Sequence, residues 1–291
     1  MRYHGTVIRP PSEANSFILQ VTYGCSHNKC TFCGTYLDKP FRTRPVNEVL
    51  EDIRLARRLR PETRRVFLAD GNALVLSTSR LVSILDELAA GLTLLERVGI
   101  YANARDLLGK SESDLRLLCQ KGLGIVYLGL ESGSDEVLHS VRKGATAAEM
   151  IQAVQKAQAA GMRTSVIAIL GIGGPKLSSV HAEETGRAVS AMDPDYFSML
   201  TLMLVPGTEL YREWQGGAFQ LLDPEAMLLE LRQSILHLNG LSHCVFRTNH
   251  ASNFLPLAGT LSEDKKQLLA TLDAALALGR PALRPDAWRG L

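Results

Sequence analysis

Six short apolar segments recur along the chain, and a stretch of helical periodicity follows each of them. The segments are Phe17 to Thr22, Val66 to Ala69, Val98 to Ala102, Ile125 to Leu130, Thr164 to Leu170 and Tyr196 to Leu202, with starts 49, 32, 27, 39 and 32 residues apart. That is the spacing of βα units. Runs that are apolar on both faces are expected of parallel strands covered by helices. The intervening helices carry their own end signals. Val46, Val49, Leu50, Ile53 and Ala56 mark one apolar face. Thr146-Ala-Ala-Glu149 reads as a capping box, with Gly161 closing that helix, and Ser111-Glu-Ser-Asp114 opens another. Beyond the sixth segment the pattern changes. Val205-Pro-Gly-Thr208 is a turn, Asp223-Pro-Glu caps a helix that Gly240 ends, and a last helix stops near Gly279-Arg-Pro281. The expected fold is α/β. It comprises an N-terminal segment (1–15), a six-fold βα core (16–205) and a C-terminal helical extension (206–291) that covers the core and contacts substrate.

A chain of 291 residues buries a sizeable core. Hydrophobic residues at 46% and charged residues at 21% exclude wholesale disorder. The net charge of +2 gives no electrostatic case for a nucleic-acid binder. No run approaches the length of a membrane span, and the start, Met-Arg-Tyr-His-Gly-Thr, lacks the apolar stretch of a signal peptide. The expected compartment is therefore the reducing cytoplasm, where the five cysteines read as ligands or core thiols rather than disulfides.

In a parallel βα array the site lies at the C-terminal ends of the strands, and here those ends are chemically unusual. The first segment runs into a cysteine loop. The second ends in Asp70-Gly71-Asn72, the third in Asn103-Ala-Arg105, the fourth in Glu131-Ser132-Gly133 and the fifth in Gly171-Ile-Gly173-Gly174-Pro175. A carboxylate directly after the apolar run Ile125 to Leu130 is costly without a partner, so Glu131 reads as a ligand residue. Asp70-Gly71-Asn72 is equally good turn chemistry, and Arg105 is equally a surface charge. Cys119 and Cys244 read as core thiols. The glycines at 171, 173 and 174 do not complete a dinucleotide-binding fingerprint.

Three thiols fall within nine residues, in Gly24-Cys25-Ser-His-Asn-Lys-Cys30-Thr-Phe32-Cys33. Structural zinc takes four ligands, commonly from two separated pairs. No second pair follows, and only His27 stands close enough in sequence to complete a set. A [4Fe–4S] cluster held by three thiolates leaves one iron open to a further ligand. On Cys25-x4-Cys30-x-Phe32-Cys33 after the first strand of a six-fold βα core, the chain resembles the radical S-adenosylmethionine (SAM) superfamily, with one residue more than the usual Cys-x3-Cys-x-aromatic-Cys. Leu128-Gly-Leu-Glu131-Ser132 is similar to the fourth-strand segment of the subgroup that contains the oxygen-independent coproporphyrinogen oxidases and the Elongator catalytic subunit.

The resemblance implies a partial (β/α)6 TIM-like barrel, with a [4Fe–4S] cluster on Cys25, Cys30 and Cys33 and Phe32 beside it. It implies reductive cleavage of SAM to a 5′-deoxyadenosyl radical that abstracts hydrogen from substrate, and an electron donor such as flavodoxin or ferredoxin. Asp70, Gly71 and Asn72 would meet the SAM amino group, with Asn103 near by. Glu131, Ser132 and Lys143 would meet the ribose and methionine end, and Gly171 and Gly173 the adenine. Two other readings stand beside this one: an iron–sulfur electron carrier that never cleaves SAM, and a tRNA-modifying enzyme, for which no basic arm is visible. A small-molecule substrate is expected, and the oligomeric state is open. In the extension, Arg247-Thr-Asn249-His250-Ala-Ser252-Asn253 crowds polar side chains before an apolar run. It reads either as a connection between helices or as a substrate-facing loop with His250 as a proton donor or anchor.

Overall fold

A computed structural model describes residues 2–290, which form two compact units. The first comprises residues up to 28, 35–128 and 152–164, and the second 29–34, 129–151 and 165 onward. In the first, β1 (Phe17–Gln20) leads into β2 (Thr22–Tyr23), which pairs antiparallel with β3 (Arg42–Thr43). There follow α1 (Val46–Leu59), β4 (Arg65–Ala69), α2 (Thr78–Gly91), β5 (Arg97–Tyr101), α3 (Ala104–Gly109) and α4 (Glu112–Gln120). β6 (Leu123–Glu131) begins in the first unit and ends in the second, where α5 (Asp135–Ser140) follows. The chain passes through α6 (Ala147–Ala159) and β7 (Arg163–Leu170) to α7 (Gly174–Met192), β8 (Tyr196–Thr201), α8 (Glu209–Gln215) and α9 (Pro224–Leu236). It ends in β9 (Val245–Arg247), β10 (Ala258–Thr260) and α10 (Lys265–Leu278).

Within the first unit β1, β4, β5 and β6 are parallel neighbours, with Ile18 opposite Phe67, Leu68 opposite Ile100 and Tyr101 opposite Tyr127. Phe67 is fully buried and meets the rings of Tyr101 and Tyr127 edge-on, at centroid distances of 4.9 and 5.7 Å. Glu13, in the turn before β1, is buried beside them. It accepts hydrogen bonds from the Tyr127 hydroxyl at 2.5 Å, from Arg97 and from Ser16, which satisfy a carboxylate that would otherwise be prohibitive in the core. The amphipathic face expected on α1 is present: Val49, Ile53 and Ala56 are buried.

In the second unit β7, β8 and β9 run parallel and β10 returns antiparallel, with Ile167 opposite Ser198, Phe197 opposite Phe246 and Phe246 opposite Gly259. The extension is therefore not purely helical, as the sequence led us to expect. β9 and β10 are three residues each, too short to show an alternating pattern. What holds β9 is Phe246, fully buried at 5.7 Å from the Phe197 ring. All six expected core strands are present. The capping boxes form at Thr146/Glu149 and Ser111/Asp114, Asp223 caps α9, and Gly207 takes φ +91° in the 205–208 turn. No helix of the described residues is long and apolar enough to cross a membrane.

Candidate functional site

The strand ends of the first unit are joined through two side chains. Asp70, directly after β4, is fully buried. Its Oδ2 accepts from the Gly24 amide at 3.1 Å, from Gln20 Nε2 at 2.9 Å and from the buried Lys39 ammonium at 3.0 Å, while Oδ1 has no hydrogen-bond partner. The ammonium that the sequence led us to seek for Asp70 is thus supplied, at one oxygen, by the chain itself. Asn72 is also buried. Its amide nitrogen donates to Ser26 Oγ at 2.7 Å and to Asp106, and its oxygen accepts from the Asn103 amide at 3.1 Å. Asn72 therefore ties the second and third strand ends to the residue after Cys25, and the Asn103 backbone takes part. Gly71 is required by packing: a Cβ there would lie 2.4 Å from the Tyr36 ring and 3.0 Å from the Cys25 Cβ. Arg105 is exposed. Arg44, in the loop after the cysteines, is fully buried against Asp52 at 2.9 Å and the Gln20 carbonyl at 2.7 Å.

The second half of the cysteine loop is anchored in the second unit. The Thr31 amide donates to Val141, the Leu210 amide to Thr31, and the Cys33 amide turns back to Cys30. Phe32 packs against the buried Val137, Val141 and Ile172, so its role here is to seat the loop. Glu131 closes β6 with φ +62°, a left-handed conformation that costs a non-glycine residue on the order of 1–2 kcal/mol. Its Oε1 accepts from Lys143 Nζ at 2.8 Å, and both side chains are 11% exposed. The sequence placed these two residues at one ligand, and the structure brings them together. Gly129 leaves room for the pair as it stands: a Cβ there would lie 2.1 Å from Glu131 Oε1 and would shift that side chain.

Ser132 is fully buried. Its Oγ accepts from the Ser134 amide and lies 2.8 Å from His181 Nδ1. Gly171, at φ +80°, donates its amide to Glu230 Oε1 at 2.6 Å, and Gly173 precedes the first turn of α7. His181 and Glu230 were not singled out from the sequence, although both lie within apolar helical faces. Burial drives the His181 imidazole down to about 4, and burial likewise drives the Glu230 carboxyl up to about 7, the Ser178 hydroxyl and Gly171 amide opposing it.

These shifts have opposite consequences for stability. Glu230 contributes fully below its ordinary value of 4.5, and that contribution is lost as pH rises through 7; His181 contributes fully above 6.5, and that contribution is lost as pH falls through 4. Across most of that window they offset each other. Glu230→Gln removes one slope. The stability of wild type relative to this variant should grow by about 3 kcal/mol as pH falls from 7 to 4.5. Urea unfolding of the two proteins at both pH values checks this, and a constant difference would refute it.

In the extension, Asn253 is buried and satisfied by protein groups: its Oδ1 accepts from Thr201 Oγ1 and its Nδ2 donates to the Met199 carbonyl, both at 2.9 Å. Asn249 is exposed. His250 is half-buried, with Nδ1 accepting from the Ser252 amide at 3.1 Å and lying 2.9 Å from Ser252 Oγ, while Arg284 donates to the His250 carbonyl. Burial, then the nearby Arg284 cation, lowers its pKa. The polar cluster thus takes much of its hydrogen bonding from within its own unit. Cys244 is buried, as expected, and Cys119 is only half-buried, on α4.

The donor chemistry suits an iron–sulfur centre: Cys25, Cys30 and Cys33 are thiols rather than disulfides, and each is partly exposed. Among the described residues, no three His, Cys, Asp or Glu side chains are gathered to hold a single metal ion; a cluster sets its own atoms between its thiolates.

Comparison with known proteins gives a consistent picture. The family model described as the radical SAM superfamily matches residues 19–184, more than half of the 291. The heme chaperone HemW of Bacillus subtilis (strain 168) is 23% identical over 75% of this chain, which spans 59% of that relative's length. Coproporphyrinogen III oxidase (HemN) from Escherichia coli, a radical SAM enzyme, superposes with a TM-score of 0.59 at 15% identity, covering 95% of this chain and 71% of that one. The radical SAM methyltransferase TsrM from Kitasatospora setae, bound to tryptophan and a SAM analogue, gives 0.56 at 20% identity, covering 69% and 39%. These structural likenesses show a shared fold.

Proposed function

The chain belongs to the radical SAM superfamily, and we propose that it is an enzyme that cleaves SAM reductively and uses the product to activate a small-molecule substrate. When bound, the cluster supplies the electron that splits SAM into methionine and a 5′-deoxyadenosyl radical able to take a hydrogen atom. The rest of the work falls to the chain's own groups. Cys25, Cys30 and Cys33 are the thiolate ligands by motif and donor chemistry. Glu131 and Lys143 bind the ribose and methionine end, the carboxylate offering acceptors to hydroxyls and the ammonium a counter-charge to a carboxylate. Asp70 keeps Oδ1 for a donor from SAM while its other oxygen is held. Residues 206–291 act as the part that faces substrate, with the half-buried His250 as the contact. The reductant is a one-electron donor of the flavodoxin or ferredoxin class.

The observation that carries this reading is the strained strand end at Glu131. A left-handed, largely buried glutamate paired with Lys143, behind a glycine that no other residue can replace without displacing that pair, is retained at a cost in stability. A second reading, a protein that holds the cluster and SAM without cleaving SAM, draws on the likeness to a heme chaperone. One experiment separates them. The anaerobically loaded and reduced protein, given SAM, is expected to release 5′-deoxyadenosine slowly without substrate. Glu131→Ala should weaken SAM binding at least tenfold, about 1.4 kcal/mol or more. No nucleoside product under any reductant leaves the second reading, and unchanged affinity in Glu131→Ala removes Glu131 from the SAM site.

A further inference from the structure

We propose that His181 and Glu230 are positioning residues. They hold the two loops that follow β6 and β7, residues 131–133 and 171–174, in the shape that takes the adenosine end of SAM. The proposal rests on the functional reading above. Its basis is the way two helices reach these loops. From α7, His181 Nδ1 lies 2.8 Å from Ser132 Oγ, and Thr185 Oγ1, one turn on, accepts the Gly133 amide at 2.9 Å. A Cβ at Gly133 would lie 2.2 Å from the Glu184 carbonyl oxygen, so the loop is pressed onto the helix backbone. From α9, in the extension, Glu230 Oε1 takes the Gly171 amide at 2.6 Å, and Met227, three residues before it, would meet a Cβ at Gly171 at 2.3 Å. Each helix thus grips one strand-end loop through two residues a turn apart.

The two grips meet. His181 Nε2 and Glu230 Oε1 are 3.6 Å apart, and both side chains are wholly shielded from solvent. The groups facing them are the Ser132, Thr185 and Ser178 hydroxyls, the Gly171 amide and the Ile169 carbonyl. Nothing about packing α7 against α9 calls for these residues. His181 Nε2 and Glu230 Oε2 are buried with no partner at hydrogen-bond geometry, which is costly, and replacing buried polar pairs by apolar residues of similar volume is often neutral or stabilising. What an apolar pair cannot do is accept the Gly171 amide and fix Ser132. The extension therefore builds part of the nucleoside site from behind, in addition to any contact with substrate.

The test measures binding, not turnover. Anaerobically loaded wild type, Glu230→Ala, Glu230→Gln and His181→Leu are compared by equilibrium dialysis with SAM and with 5′-deoxyadenosine as probes, alongside iron content and melting temperature. Glu230→Ala and His181→Leu should weaken both probes at least tenfold with iron content unchanged. Glu230→Gln retains a carbonyl oxygen for the Gly171 amide and should stay within about threefold. Folded variants that bind both probes like wild type would overturn the proposal, as would a Gln variant no better than Ala. If Glu230→Ala does not fold, the His181→Leu and Glu230→Gln values decide on the same terms. Wild type that binds neither probe overturns the functional reading itself, a result distinct from wild-type binding with unaffected variants.

Discussion

Alanine at Cys30 or Cys33 is expected to abolish the iron–sulfur centre, with iron and sulfide falling from about four of each per chain to near zero and the visible absorbance lost. The loss should be nearly complete because a three-thiolate site has no spare protein ligand. The fold should survive it. The loop around these cysteines is seated by backbone hydrogen bonds from Thr31 and Leu210 and by the packing of Phe32, none of which involves sulfur. Cys25→Ala should behave alike. Cys119→Ala and Cys244→Ala serve as controls and should retain the cluster: Cys244 is a buried thiol whose pKa is pushed up to about 12 by burial, then by Asp193 and Asp195, which makes it a poor thiolate. Anaerobic reconstitution followed by iron and sulfide assay checks all five. Full iron in Cys30→Ala, or stoichiometric zinc in sulfur coordination in wild type, would refute the assignment.

The sequence was most legible where a residue's neighbours along the chain determine its environment. Apolar runs gave all six core strands, and Glu131 stood out because a carboxylate ended such a run. Lys143 came from resemblance alone, and its pairing with Glu131 depends on a left-handed backbone and on Gly129, neither visible in composition. Lys39 gave no signal at all. It lies in a loop, and only the fold carries it to Asp70. His181 and Glu230 did leave a trace. Glu230 stands on α9 among the buried Met227, Leu231 and Ser234, and His181 on α7 with the buried Thr185 one turn on; a polar group at such a position is a mark of a buried partner. Three-residue strands carry no usable period, so the sequence reads the extension as helical; β9 is set by its pairing with β8, and β10 by its pairing with β9.

The Lys39–Asp70 pair should be among the most sensitive sites in the protein to a single substitution. Their side chains are 4% and 0% exposed and 3.0 Å apart, and Lys39 also donates to the Thr6 carbonyl and stands over the Tyr36 ring. Removing one member of a buried ion pair strands the other charge, at a cost of about 3–5 kcal/mol. Lys39→Met is expected to fall in that range, because Asp70 then has only Gln20 and the Gly24 amide for a full negative charge. Lys39→Met combined with Asp70→Asn should be distinctly more stable than Lys39→Met alone, since asparagine keeps an oxygen for the Gly24 amide and strands no charge. Urea unfolding of the four members of the cycle measures this, and a loss under about 1 kcal/mol in Lys39→Met would show that the carboxylate is not held by the ammonium. The effect should reach the cysteine loop. Gly24 immediately precedes Cys25 and sits at φ +68°, with room for no Cβ beside the Lys39 carbonyl. Asp70 is the acceptor that fixes its amide, so Lys39→Met should also retain its cluster less well in air than wild type, even where the protein remains folded.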